Sequence, residues 1–222
     1  MTTAGVILDL DGTVVDSNYL HVAAWWSAFR ENDTPVATAD VHQLLGRPSA
    51  ELVEELVPDA PEDRRQAIVD AHSRHYGPYL ERVGATRGAG DLMRALYERG
   101  LRVVVATSAK SDQVDTMLAA TGAAGTVHTV VDSSDAERGK PAPDPVALAL
   151  RRGDLDADRS VMLGDAVWDV LTAHRAGVRC VALTCGGIAA SRLSEAGADA
   201  VYRDPRDLLE QWADSPLGEL VG

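Results

Sequence analysis

The chain has 222 residues, 45% hydrophobic and 25% charged, which suits one globular body or one domain with a sizeable insertion. A formal net charge of -13 without any basic run excludes a phosphate-backbone binder, so no nucleic acid is expected as a partner. No apolar run reaches the length of a membrane span, and "MTTAGVILDLDG" lacks a basic start before a long apolar core, so the expectation is a cytoplasmic protein with no membrane partner.

In chain order, the first predicted strand is Ala4 to Leu10, an apolar run that delivers Asp9 and Asp11 at its end. Two carboxylates so close to a buried strand repel each other and resist desolvation, so they require a cation or a chemical role. Residues 17–87 then carry helical patterns and no strand. Val22, Trp25, Trp26 and Phe29 form a stripe at helical spacing, "SAELVEELV" reads as a helix capped by Ser49, and a longer helix begins at Pro61. The expected division is an α/β core at 1–16 and 88–222, with a helical cap at 17–87 lying over the end of the sheet from which the acids emerge.

Further strands are predicted at Leu101 to Thr107, Val127 to Val131, Ser160 to Gly164, Val178 to Thr184 and Ala198 to Tyr202. Helical stretches between them end on Gly100, Gly122 and Gly177, where a left-handed helix cap falls. Strand-helix-strand repetition predicts a doubly wound parallel sheet with right-handed crossovers. The last stretch reads as a closing helix and a loose tail, with Trp212 as packing. Cys180 and Cys185 read as buried thiols, since they form neither a metal-ligand set nor a C-x-x-C motif.

Four motifs fall at predicted strand ends. "DLDGTVVDS" holds Asp9 and Asp11, with Gly12 for a sharp turn and Thr13 to tie it. "VVVATSAK" offers Thr107 and Ser108 at a helix start. "GKPAPDP" presents Lys140 in a proline-braced loop, and "VMLGDAVWD" delivers Asp165 with Asp169 one helical turn on. Only two of the 21 basic side chains are lysines, Lys110 and Lys140. A lysine supplies a compact point charge that fits beside a phosphate. In-line phosphoryl transfer needs a nucleophile, cations on the equatorial oxygens and an acid for the leaving oxygen, and carboxylates at 9 and 165 form a hard-oxygen site suited to Mg²⁺.

These four motifs resemble those of the haloacid dehalogenase superfamily of aspartate-nucleophile phosphotransferases, over Gly5 to about Leu183. The helical insertion is similar to that family's small cap. The resemblance implies Asp9 as nucleophile forming an aspartyl phosphate and Asp11 as general acid and base. It implies Thr107 and the Ser108 amide on phosphate oxygens, with Gly12 in the phosphate-binding set, and Lys140 as their neutralising charge. Magnesium would be held by Asp9, Asp165 and the Asp11 carbonyl, with Asp169 and Thr13 in support. Ala166 stands where the family often has Ser or Thr, which loses a hydroxyl and no ligand.

The expected activity is therefore Mg²⁺-dependent hydrolysis of a small-molecule phosphate ester, by a monomer or weak homodimer. A β-phosphoglucomutase-like sugar phosphomutase is the alternative, and His21 sits where such mutases carry a histidine. A non-catalytic protein that kept the fold is the third reading. Metal-free dehalogenation is disfavoured by Asp11 and Asp165, and Schiff-base phosphonate hydrolysis by the absence of any Lys from 16 to 99. Three side chains keep two readings each. His21 is either a substrate contact or a hinge hydrogen bond, Arg47 either reaches a substrate anion or lies on the surface, and Lys110 either faces phosphate or is solvated. His72 and His75, at i, i+3, read as two solvated residues.

Overall fold

A computed structural model describes residues 3–221. The first apolar run forms β1 (Thr3–Leu8), and the chain then leaves the sheet through α1 (Asn18–Glu31), α2 (Thr38–Leu44), α3 (Ser49–Leu56) and α4 (Glu62–Leu80). It returns through α5 (Ala89–Glu98), β2 (Arg102–Ala106), α6 (Ser111–Ala120), β3 (Val127–Val131) and α7 (Asp144–Gly153). The second half continues with β4 (Leu155–Gly164), α8 (Val167–Arg175), β5 (Arg179–Leu183), α9 (Ala190–Glu195), β6 (Ala200–Tyr202) and α10 (Pro205–Glu210).

The six strands pair in the order β3-β2-β1-β4-β5-β6, all parallel, as the strand-helix repetition requires. Connections run one way from β1 through β2 to β3 and the other way from β4 to β6. The order therefore reverses between β1 and β4, and the crevice beyond their carboxyl ends is where open α/β sheets bind ligands. Both faces of the sheet are covered. Val6 and Leu8 pack with Leu92 and Met93 of α5 and Met117 of α6, while Ile7 and Val104 pack with Val146 of α7 and Val170 of α8. The four-helix insert has an apolar cluster of its own around Trp25, Phe29, Leu52 and Ile68. Its two connections touch each other, with Val15 bridged to Ala85 and Asp16 N–H donating to Gly84 C=O at 2.9 Å.

Several expectations need correction. Ser49 makes no capping hydrogen bond; it is the first helical residue of α3 and Pro48 holds the cap position, while Pro61 is the residue before α4. α2 carries no apolar stripe and was not anticipated. Trp26, counted in the α1 stripe, is 46% exposed and sits under the Arg30 guanidinium at 5.2 Å, because its angle on the helix faces away from α4. β4 begins five residues earlier than Ser160, at Leu155, through the charged run "LDADR", where the pairing with β1 is irregular between Thr3 and Gly5. Cys180 is buried, whereas Cys185 is half-buried, with its Sγ donating to Gly12 C=O at 3.1 Å.

The tail is not loose. Short 3-10 turns at Trp212–Asp214 and Gly218–Leu220 fold Leu217 and Leu220 into the apolar layer that contains Val6 and Leu8, and the Arg99 guanidinium lies over the Trp212 ring at 4.6 Å. No described helix is long and apolar enough to cross a membrane. Because Leu217 is fully buried, Leu217→Ala is expected to lower unfolding free energy by about 2–5 kcal/mol, read from the denaturant midpoint at unchanged slope. A loose tail would give no shift.

Candidate active site

The crevice at the strand-order reversal collects the predicted acids. Asp9 directly follows β1, its N–H donating to Leu163 C=O at 2.9 Å, and Asp165 directly follows β4. Between them stands Lys140, on the loop before α7 and only 1% exposed. Its Nζ lies 2.6 Å from Asp9 Oδ1 and 2.7 Å from Asp169 Oδ1. Asp169 Oδ2 in turn accepts the N–H groups of Asp165 and Ala166 at 3.1 and 3.0 Å, which ties the start of α8 to the loop it caps.

The electrostatics are unbalanced. Burial pushes Asp9 up to about 7, against the lowering effect of Lys140, and Asp169 and Asp11 push the same way as burial. Burial, then Asp169 and Asp9, hold Asp165 well above the carboxylate range. Burial acts to lower Lys140, but Asp169 and Asp9 outweigh it, so the ammonium stays charged. One ammonium thus serves three buried carboxylates, and a further positive charge would relieve them.

The donor set suits a hard cation. One oxygen from each of Asp9, Asp165 and Asp169 lies within 4.8 Å of the others. A small hollow is lined by Asp9, Asp11 and Asp165 together with Asn18, His42 and Gly46 of the insert and Ala166 and Ile188 of the sheet loops. Carboxylate and carbonyl oxygens at such a hollow are what Mg²⁺ selects. Gly12 adopts φ 73°, and a Cβ there would strike Asn18 and Asp165; a Cβ on Gly186 would overlap the Asp165 carboxylate. Glycine at both positions lets backbone approach the acid.

The remaining predicted residues separate into those that meet in the crevice and those that do not. Thr13 Oγ1 donates to Asp165 Oδ1 at 2.8 Å. Ser108 lines the larger cavity under the insert and its Oγ donates to Gly46 C=O at 2.9 Å, whereas Thr107 Oγ1 accepts the Ala109 N–H at 3.0 Å within its own loop. Lys110 is exposed yet lines that cavity, its Nζ donating to Ser73 Oγ at 3.0 Å, so the lysine faces the cavity. Arg47 also lines it, but its guanidinium is paired with Glu51 at 3.1 Å and Glu55 at 3.5 Å and lies over Trp168. Asp16 is exposed and lies at the junction of insert and sheet.

Asp11 and His21 meet, with Nε2 3.1 Å from Oδ1, and Ser17 Oγ also donates to that oxygen. Burial acts to raise Asp11, but His21 and the bonds from His21 and Ser17 outweigh it and hold the carboxyl below its ordinary range. The reading of His72 as solvated is wrong. It is buried, its ring lies flat on Trp25 at 3.8 Å, and burial first, then His21 and Lys110, hold it well below the usual histidine range. His75 does lie at the surface, paired with Glu31 at 2.7 Å.

Asn18 was missed. Its Nδ2 donates to Asp165 Oδ2 at 2.8 Å and Gly186 C=O at 3.0 Å, linking the first residue of α1 to two sheet loops. The only sequence signal was a polar residue at a helix start, which reads as capping.

Comparison with known proteins decides the family, because the profile of the haloacid dehalogenase-like hydrolases matches residues 6–183. The chain belongs to that family. It is a hydrolase of that family. It is 31% identical to a phosphoglycolate phosphatase of Rhodospirillum rubrum over 90% of this chain and 86% of the relative. It is 26% identical to the validoxylamine A 7'-phosphate phosphatase of Streptomyces hygroscopicus subsp. limoneus, over 80% and 84% of the two chains. A hydrolase from Pseudomonas syringae superposes with a TM-score of 0.90 at 30% identity, covering 96% of this chain and 99% of that one. The haloacid dehalogenase-like fold and hydrolase class expected from the four motifs are thus borne out.

The acid pair of this hydrolase has a consequence for stability. Folded Asp9, at about 7, and folded Asp165, also raised, hold protons more tightly than unfolded carboxyls at 3.8, so stability falls as pH rises between 3.8 and about 7. His72 acts in the opposite sense, but only below 6.5, where the unfolded imidazole takes up a proton. The melting temperature of metal-free protein is therefore expected to fall from about pH 5 to about pH 7, the two acids outweighing the one histidine, and Asp165→Asn to flatten that fall. A melting temperature that rises over this window would contradict the charge excess.

Proposed function

We propose that the protein is a Mg²⁺-dependent phosphatase of small phosphorylated metabolites that works through an aspartyl phosphate on Asp9. The observation that carries the reading is the convergence of Asp9, Lys140 and Asp165 at the strand-order reversal, with Asp11 facing the adjoining cavity. The phosphatase names of relatives at 31% and 26% identity support it. In this reading 1–16 and 88–222 form the core and 17–87 the cap, which encloses a cavity suited to small esters and excludes polymers.

The Asp9 carboxylate attacks phosphorus in line, and the alkoxide leaves with a proton from Asp11. Asp11, left unprotonated by that step, then takes a proton from the water that hydrolyses the acyl phosphate. The proton it needs for the first half is favoured once a phosphate dianion lies beside it, since like charge raises a carboxyl. Lys140 neutralises the equatorial oxygens, and Ser108 N–H with Thr107 holds them. Asp9, Asp165 and the Asp11 carbonyl would hold Mg²⁺, which when bound supplies positive charge on the transferring phosphoryl group.

Turnover of an aryl phosphate with and without chelator tests this. Chelation is expected to abolish turnover and Mg²⁺ to restore it, and Asp9→Asn to leave less than about a thousandth of the rate. Substantial activity in Asp9→Asn would refute the covalent route. Asp11→Asn is expected to slow turnover by roughly 10²–10⁴-fold while Mg²⁺ still raises the melting temperature, because the ligand at that position is the backbone. Equal loss of Mg²⁺ response and turnover would remove Asp11 from the acid-base role.

A further inference from the structure

Behind Asp11 lies a pair of histidines that the reaction above does not use. His21, on α1, has Nε2 3.1 Å from Asp11 Oδ1 and Nδ1 3.1 Å from Nε2 of His72 on α4. The two imidazoles meet edge to edge and are clamped between aromatic faces. His21 stacks on Tyr76 at 3.8 Å with 15° between planes, and His72 on Trp25 at 3.8 Å with 12°.

Imidazole chemistry makes this chain directional. A carboxylate oxygen only accepts, so His21 Nε2 carries the proton that meets Asp11, and Nδ1 is left to be satisfied separately. His72 is the partner that satisfies it. As a buried neutral ring it presents either N–H or a lone pair at Nε2, so it serves a neutral or a charged His21 alike. Without it, Nδ1 has no other hydrogen-bond partner among the described residues, and a polar atom left without a partner in a part-buried place costs up to about 1–3 kcal/mol. Turning the ring over would relieve that cost and break the bond to Asp11. Both the His21 and Ser17 bonds fall on Oδ1, so neither occupies Oδ2 of Asp11.

We propose that His72 is a positioning residue which, acting through His21, fixes the Asp11 carboxylate in its working orientation and so lets helix α4 of the insert control the acid-base step. This rests on the acid-base role given to Asp11 above.

The test combines kinetics with a readout that needs no turnover. In nitrogen-15 spectra of the wild-type protein at neutral pH, His21 Nε2 is expected to be protonated; an unprotonated Nε2 would overturn the proposal whatever the variants do. With an aryl phosphate as substrate, His72→Phe, which keeps the stack on Trp25, is expected to lower kcat about tenfold or more with KM within roughly twofold. His72→Gln, which retains a hydrogen-bonding group, should recover part of the loss. His21→Phe with His72→Phe should be no slower than His21→Phe alone, because His72 acts only through His21. Multiplicative losses in the double variant, or a raised KM with kcat intact, would make His72 a packing or cavity-wall residue and defeat the proposal. If Asp11→Asn proves active, the acid-base reading fails, and the nitrogen-15 spectra of His72→Phe still report whether His72 sets the His21 tautomer.

Discussion

The structure depends on a buried ammonium. Lys140 is almost wholly removed from water, and its desolvation is offset only because Asp9 and Asp169 meet it from two different strand ends. Removing the ammonium leaves both carboxylates uncompensated in the interior, an effect of about 3–5 kcal/mol. The ion pairs thereby force three loops into register: the one after β1, the one after β4, and the proline-braced loop before α7. That register brings Asp9 and the acid-lined hollow together before any ligand arrives.

The same centre is deliberately short of positive charge. Asp165 receives hydrogen bonds from Thr13 and Asn18 rather than a cation from the chain, and these orient it without neutralising it. A carboxyl group held in place by neutral donors keeps its oxygens available to a metal, whereas a second lysine would have occupied them. Asn18 and His21 both lie in the first turn of α1, so the insert takes part in building the site beneath it.

Much of this could be read from the chain because the informative signals are local. The apolar runs of β1, β2 and β5, the glycines closing α5, α6 and α8, and the two-residue spacing of Asp9 and Asp11 all lie within a few positions of one another. Lys140 was legible by its rarity and its prolines. What escaped depends on tertiary neighbours. α2 lacks an apolar stripe because only Val41 is buried along it. The start of β4 is written in charged residues, and the tail looks polar until Leu217 and Leu220 are seen against the sheet. His72 has the pattern of a surface residue, and only the approach of α1 to α4 gives it an aromatic bed and a partner. Asn18 looked like a cap because sequence shows where a side chain starts and not where it points.

The paired connections at Val15 and Ala85 also fix how the insert can contribute. They lie beside Asp11 and Ser17, at the edge of the crevice, whereas Arg47 and Ser73 line the far wall of the cavity. In a rigid rotation about that two-stranded joint, displacement grows with distance from the axis. The contacts of Ser17 and His21 with Asp11 would then change little while the far wall swings widely. An insert anchored in this way resembles a door hung beside its lock: in the proposed reaction its outer edge would follow the shape of the ester, and Asp11 with His21 would stay next to the hinge pin.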